Sequence, residues 1–275
     1  LLVLLILGML SCDEKNEQLK SGFWRATLEI QDAQQLPFIF EVQDANKLVI
    51  QNADERIVVD EIVIFGDSIR IQTPVFEGFF SGVFNEDATI ISGEFIKPSL
   101  DRIVPFEMRY GDEVRFRESA QPQTNISGNW ETVFSPESEE DRYIAKGIFK
   151  QKGNIVTGTF ETTTGDYRFL EGVVFGNELK LSTFDGAHAF LFTATVTDST
   201  MEGQFYSGNH WKEPFTAKRN DSYELPDANS LTYLKEGYDN VSFSFPDANG
   251  NMVSLNDERF KDKVVLVQIM GTWCP

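Results

Sequence analysis

Ile64-Phe65-Gly66-Asp67-Ser68-Ile69-Arg70-Ile71 and Val174-Phe175-Gly176-Asn177-Glu178-Leu179-Lys180-Leu181 are one pattern written twice, 110 residues apart. In each copy a Phe-Gly-Asp or Phe-Gly-Asn turn leads into residues that alternate apolar and polar. Period two places one face of a strand in a core and the other in water. Gly with Asp or Asn is what a tight strand-to-strand turn requires.

The duplication extends outward from this stretch. Ser92-Gly93-Glu94-Phe95 matches Glu202-Gly203-Gln204-Phe205 at 110, and Val104-Pro105-Phe106-Glu107 matches Glu213-Pro214-Phe215-Thr216 at 109. At the front, Ser21-Gly22-Phe23-Trp24 matches Ser127-Gly128-Asn129-Trp130 at 106. Four matches in order at a nearly constant offset describe one ancestral unit, duplicated.

Other segments have the same character. Phe190, Phe192, Ala194 and Val196 alternate with shorter or polar residues, and Lys152-Gly153-Asn154 and Asn85-Glu86-Asp87 carry turn chemistry. Gly-x-Phe recurs at Gly93/Phe95, Gly147/Phe149, Gly158/Phe160 and Gly203/Phe205. Glycine there relieves strand bending while the Phe fills an interior. The 24 Phe residues sit mostly in such runs and long helical patterns are scarce, so the fold class is mainly β. The expectation is two similar antiparallel lobes packed together, each a small barrel or half of a larger sandwich. A Ser-Gly-x-Trp opening followed by antiparallel strands is similar to lipocalin-like barrels, which implies that a Trp plugs one end of each lobe.

The net charge of -19 excludes nucleic acid as a partner, because phosphate binding needs clustered Lys and Arg. His188 and His210, the only histidines, lie 22 residues apart without Cys or paired carboxylates at ligand spacing, so no metal site is expected. Glu139-Glu140-Asp141 reads as a solvated loop. Phosphate-loop, dinucleotide and Gly-x-Ser-x-Gly patterns are missing from the sequence. The Phe residues that could line a ligand cavity are the same ones needed to fill the barrels.

Both ends carry a different kind of information. Leu1 to Leu10 is an apolar run followed by Ser11-Cys12 and then Asp13-Glu14-Lys15-Asn16. Ten residues are too few to span a bilayer, which takes about 20, but suit the apolar part of a secretory signal. The run, the small residue before Cys12 and the polar switch after it resemble a bacterial lipobox, with Met9 where Leu is more usual. The resemblance implies cleavage before Cys12, lipid on its sulfur, and a membrane anchor worth about 0.8 kcal/mol per buried CH₂.

Past residue 220 the composition turns polar, and then come Phe243-Ser244-Phe245-Pro246-Asp247-Ala248-Asn249-Gly250, Ser254-Leu255, and Phe260-Lys261-Asp262-Lys263-Val264-Val265-Leu266-Val267. Val264 to Met270 reads as a strand buried on both faces, and Gly271-Thr272-Trp273-Cys274-Pro275 follows it. This string resembles the TlpA-like thiol–disulfide oxidoreductases of the thioredoxin superfamily. The resemblance covers roughly residues 240–275. It implies an α/β domain that continues past Pro275, with Cys274 as the nucleophile and a resolving Cys two residues after Pro275. Thr272, Trp273 and Pro275 would form the surroundings of the sulfur. At the start of a helix the free N–H groups favour thiolate over thiol. The family's chemistry needs neither metal nor organic cofactor.

The expected organisation is a signal over 1–11, a tether over 12–20, lobes over 21–112 and 127–220, linkers over 113–126 and 221–238, and the start of the thioredoxin-like domain over 239–275. The expected function is thiol–disulfide exchange at Cys274 in the bacterial cell envelope, facing the periplasm or on the outer membrane. Its partners would be thiol and disulfide proteins of the envelope. Two alternatives stand beside it: a lipid-anchored β-rich binding module, and a thiol peroxidase of the peroxiredoxin type. Peroxiredoxins place Pro seven and Thr or Ser three residues before the Cys. Here those positions hold Val267 and Gly271, which argues against peroxide chemistry.

Overall fold

The computed structural model describes residues 19–74, 77–118 and 120–268. The chain divides between Leu225 and Pro226 into two compact units. The first unit contains two antiparallel barrels, one per repeat.

The first barrel is built from β1 (Gly22–Glu29), β2 (Gln35–Asp44), β3 (Lys47–Asn52), β4 (Glu55–Val59), β5 (Glu61–Phe65), β6 (Ser68–Gln72), β7 (Phe79–Phe84), β8 (Ile90–Lys97) and β9 (Arg102–Tyr110). Each strand pairs with its sequence neighbour, and β1 pairs with β9, so that β4 and β5 become the two edges. Asp60 alone separates those edges. A single residue cannot reverse the chain, so β4 and β5 are successive halves of one strand position. The first half pairs with β3 and the second with β6.

The second barrel is closed: β10 (Gly128–Phe134), β11 (Tyr143–Lys152), β12 (Ile155–Thr162), β13 (Leu170–Phe175), β14 (Glu178–Phe184), β15 (Ala189–Val196), β16 (Thr200–Ser207) and β17 (Trp211–Arg219). Here β13, the counterpart of β5, pairs with both β12 and β14. The two lobes are therefore two barrels rather than halves of one sandwich.

The repeated residues do the same work in both. Gly22 and Gly128 sit at φ +120° and +118°, where a side chain is strained. Each turns the chain so that the following Trp enters the barrel. Trp24 and Trp130 are fully buried, and each indole Nε1–H donates to a carbonyl four residues earlier, Lys20 and Ile126, both at 2.9 Å. Across the barrel end Tyr110 packs on Trp24 and the Arg219 guanidinium lies 4.5 Å over Trp130. The Phe of every Gly-x-Phe is buried, and a Cβ on Gly93 or Gly203 would overlap the carbonyl oxygen of Ser81 or Thr193 on the neighbouring strand. Each buried Phe contributes about 1.5–3 kcal/mol.

The segment 113–126, expected as a polar linker, is anchored at several points. Arg115, Phe116 and Ile126 are buried. Gln121 to Gln123 runs extended along the β13–β14 turn, where Gly176 N–H donates to Gln121 O (3.0 Å) and Gln123 N–H to Gly176 O (2.7 Å). Within its polar composition the segment is held by its backbone, by the Arg115 guanidinium, and by Phe116 and Ile126, which join the cores of the first and second barrels.

The second unit holds a short helix, α1 (Ala228–Leu231), then β18 (Ser244–Pro246) and β19 (Met252–Ser254), paired as a hairpin, and a single 3-10 turn at Glu258–Phe260. An α/β thioredoxin-like domain is not seen among the described residues.

Candidate functional site

Two regions bear on function. The first is the segment that leads toward Cys274. Asp247 shapes its hairpin turn: the carboxylate accepts the N–H of Asn249 (2.8 Å) and of Asn251 (2.9 Å), with Gly250 at φ +83°. Those main-chain hydrogen bonds hold the Asp247 carboxyl below its ordinary range. Asp257 then ties the 3-10 turn to the hairpin, with its N–H on Ser254 O at 3.0 Å.

The expected strand at Val264 to Met270 needs correcting as far as it is described. Val264 to Gln268 forms no strand, and Val264 and Leu266 are fully exposed. A strand buried on both faces needs sheet neighbours and covering layers, and residues 226–268 supply only a two-stranded hairpin. Thr272, Trp273, Cys274 and Pro275 lie outside the described residues, as does Cys12. Among the described residues no helix is long and apolar enough to cross a membrane.

The second region is the junction of the barrels, where the polar groups converge. Arg115 is buried there beside residues of both barrels. Its Nη1 donates to Pro37 O (3.3 Å) and Ser182 Oγ (3.1 Å), and its Nη2 to Gln51 O (2.5 Å), with Glu171 at 3.6 Å from Nε. Burial pulls the guanidinium below its ordinary value while Glu171 acts in the opposite sense. Pro37 lies beyond the reach of β3, so its missing N–H costs nothing and its carbonyl is left for Arg115 and Ser182. The Asn52 amide pairs with both backbone groups of Phe184, as a strand would.

Phe184 crosses the junction. It belongs to β14 by chain, yet its ring stacks on Phe38 at 4.4 Å and meets Phe80 and Phe95 at 5.4 and 5.3 Å. It fills the end of the first barrel, whose remaining void beside Phe38 and Phe80 is about 10 Å³, room for one water at most. In the second barrel Phe134, Phe160, Phe192, Phe205 and Phe215 pack ring against ring at 4.7 to 6.3 Å. Core filling is thus the role of these residues.

The histidines sit apart. His188 Nδ1 lies 2.9 Å from Asp185 Oδ2, in a chain that continues to Arg168 and, across the junction, to Glu55. Burial raises the Asp185 carboxyl, but the bonds and charge from His188 outweigh it, and the net shift is downward. His210 lies beside Lys97 and Arg102. Its partial burial, then those two cations, push it down to about 4. Glu139-Glu140-Asp141 is an exposed loop.

A further network was hidden in the sequence. Glu213 is buried at the mouth of the second barrel and accepts from Tyr143 (2.7 Å) and Ser135 (2.6 Å), while Tyr143 also bonds Tyr167. Burial, first, raises both phenols, Tyr167 to about 12. These residues lie far apart in sequence, so no local spacing signals them.

No protein-family model matches this chain, and it matches neither a curated protein nor a solved structure; the site stands on its own residues.

Proposed function

We propose that the chain belongs to an envelope-anchored thiol–disulfide oxidoreductase, with Cys12 carrying the lipid and Cys274 the chemistry. The observation that carries this is the succession of sequence motifs from Phe243 to Gly271-Thr272-Trp273-Cys274-Pro275; in its described part, β18 and β19 form a hairpin and Glu258–Phe260 a single 3-10 turn. The Cys274 thiolate attacks one sulfur of a protein disulfide. An S–S bond forms to Cys274, the substrate's S–S bond breaks, and the departing sulfur leaves as thiolate. A second thiol then resolves the mixed disulfide, as the resemblance implies for the Cys two residues after Pro275. Partners are thiol and disulfide proteins of the envelope.

The test is insulin reduction by the full-length protein. Cys274→Ser abolishes it; unchanged activity removes the redox assignment. The second reading, a lipid-anchored binding module, is favoured by one observation, the one-sided pairing of β5, and predicts binding that survives Cys274→Ser.

A further inference from the structure

The two repeats differ where their strands close. In the second barrel the outer edge of β13 is occupied along its length. Leu170 to Val173 pair with β12, Val174 N–H donates to Asn154 O at 2.8 Å, and Gly176 takes both hydrogen bonds from the extended segment Gln121–Gln123. Among the described residues the counterpart in the first barrel, β5, is paired on one side only, with β6. The residues equivalent to Val174 and Gly176 are Ile64 and Gly66. Among the described residues neither makes the corresponding bond.

The free groups can be identified. β5 and β6 are joined by the two residues Gly66-Asp67, so Phe65 faces Ser68 as a hydrogen-bonded pair. Bonded pairs alternate, which directs the N–H and C=O of Phe65, Val63 and Glu61 toward β6. Those of Ile62 and Ile64 point to the open edge. On the outer face Val63 is 63% and Phe65 86% exposed, whereas Phe175, the counterpart of Phe65, packs against the core of the first barrel and under Lys180. Natural edges are usually blunted with Lys, Pro or a bulge. β5, Glu-Ile-Val-Ile-Phe, contains neither Lys nor Pro.

We propose that the outer edge of β5 receives an extended segment of another polypeptide by strand addition. Ile62, Ile64 and Gly66 supply main-chain hydrogen bonds and Val63 and Phe65 supply apolar contact. Gln121–Gln123 on the second barrel is the internal precedent for such an occupant. Exposed Asp60, Glu61 and Asp67 flank the edge, while the nearby Arg70 is stacked 3.5 Å over Phe79. The preferred segment is therefore apolar with Lys or Arg at its ends. A second copy of this chain would bring the same acids, within a net charge of -19, against themselves.

The experiment uses the full chain carrying Cys274→Ser, so that its result is independent of the redox reading. The probe is a fluorescein-labelled nine-residue peptide with lysine at both ends and alternating valine and threonine between them, followed by anisotropy. Binding should slow hydrogen exchange at Ile62 and Ile64 and leave Val174 unchanged. Val63→Ser with Phe65→Ser should weaken binding about tenfold, with an unchanged thermal midpoint showing that the barrel is intact. The same peptide with every second main-chain nitrogen methylated should also lose about tenfold. Equal binding of the methylated peptide, or protection elsewhere than β5, overturns the proposal. So does a concentration-dependent dimer that the peptide displaces, which would assign the edge to a second copy. Binding strengthened about tenfold by deletion of residues 13–18 would assign it to the chain's own leading segment and likewise overturn the proposal.

Discussion

Phe184→Ala should destabilise the barrel to which Phe184 does not belong by chain. The ring is fully buried and its three nearest aromatic neighbours, Phe38, Phe80 and Phe95, all come from the first barrel. Removing a buried Phe costs about 3–5 kcal/mol, the upper part of that range when the cavity cannot collapse. Here the cavity would be walled by strands β2, β7 and β8 of a barrel whose pairing holds them in place, so little relaxation is open to it. For a unit of this size each kcal/mol moves the thermal midpoint by about 2–4 °C, giving a fall of roughly 6–20 °C. The assay is thermal unfolding combined with hydrogen exchange resolved by strand. Amides of Phe38, Phe40 and Phe80 should exchange faster by at least as large a factor as those of Leu179 and Leu181. A loss below about 1 kcal/mol, or acceleration confined to the second barrel, would refute the claim that Phe184 completes the first core.

Other outcomes follow from the same geometry. Arg115→Met should cost about 3–5 kcal/mol in urea unfolding, because Pro37 O, Gln51 O and Ser182 Oγ lose a buried donor; Arg115→Lys should not restore it, since one ammonium cannot span the three acceptors, and full rescue by Lys would count against this account. Gly93→Ala and Gly203→Ala should each cost more than about 1 kcal/mol, because the added methyl overlaps a carbonyl on the adjacent strand; a midpoint unchanged in either would show that the strands can part there. His210 in the folded chain titrates near 4, below its ordinary 6.5. The unfolded chain therefore takes up the proton first as pH falls, so its contribution to stability is present above 6.5 and is lost between 6.5 and about 4. His210→Asn should flatten that part of the stability profile, measured as urea midpoints at about pH 7 and about pH 5, and an unchanged slope would place the titration elsewhere.

The barrels were legible because their signals are local and repeated. Ile69 and Ile71 against Ser68 and Arg70 state a half-buried strand, and the duplicated Phe-Gly turns state how strands are joined. Gly-x-Phe told which aromatic residues enter the core, and Ser-Gly-x-Trp told where each barrel begins. What connects the barrels was not legible. Arg115 sits in a polar stretch that composition marks as a linker, and nothing local says that its guanidinium will meet acceptors from two barrels. Asn52, Glu171 and Glu213 are ordinary polar residues until distant strands arrive beside them. The interruption at Asp60 is equally silent, since one acid between two strand-forming runs does not reveal that pairing changes sides there. Toward the C-terminus the motif was read from residue order. β18 and β19 pair as a hairpin, but the apolar run Val264 to Gln268 takes no strand, because periodicity records what a segment can bury and not whether a partner is there.

The crossing of Phe184 also has a consequence for biosynthesis. The last strand of the first barrel ends at Tyr110, and Phe184 leaves the ribosome only about 70 residues later, roughly 4 to 14 s at ~5–20 residues per second. Throughout that interval the nascent first barrel has its strands but not its stopper, with Phe38, Phe80 and Phe95 facing an unfilled end. A protein built this way is vulnerable during synthesis, when its N-terminal half waits on its C-terminal half. Folding helpers that shield apolar surface would be needed most in that window, and synonymous changes that slow translation between residues 111 and 184 would lengthen it without altering a single side chain.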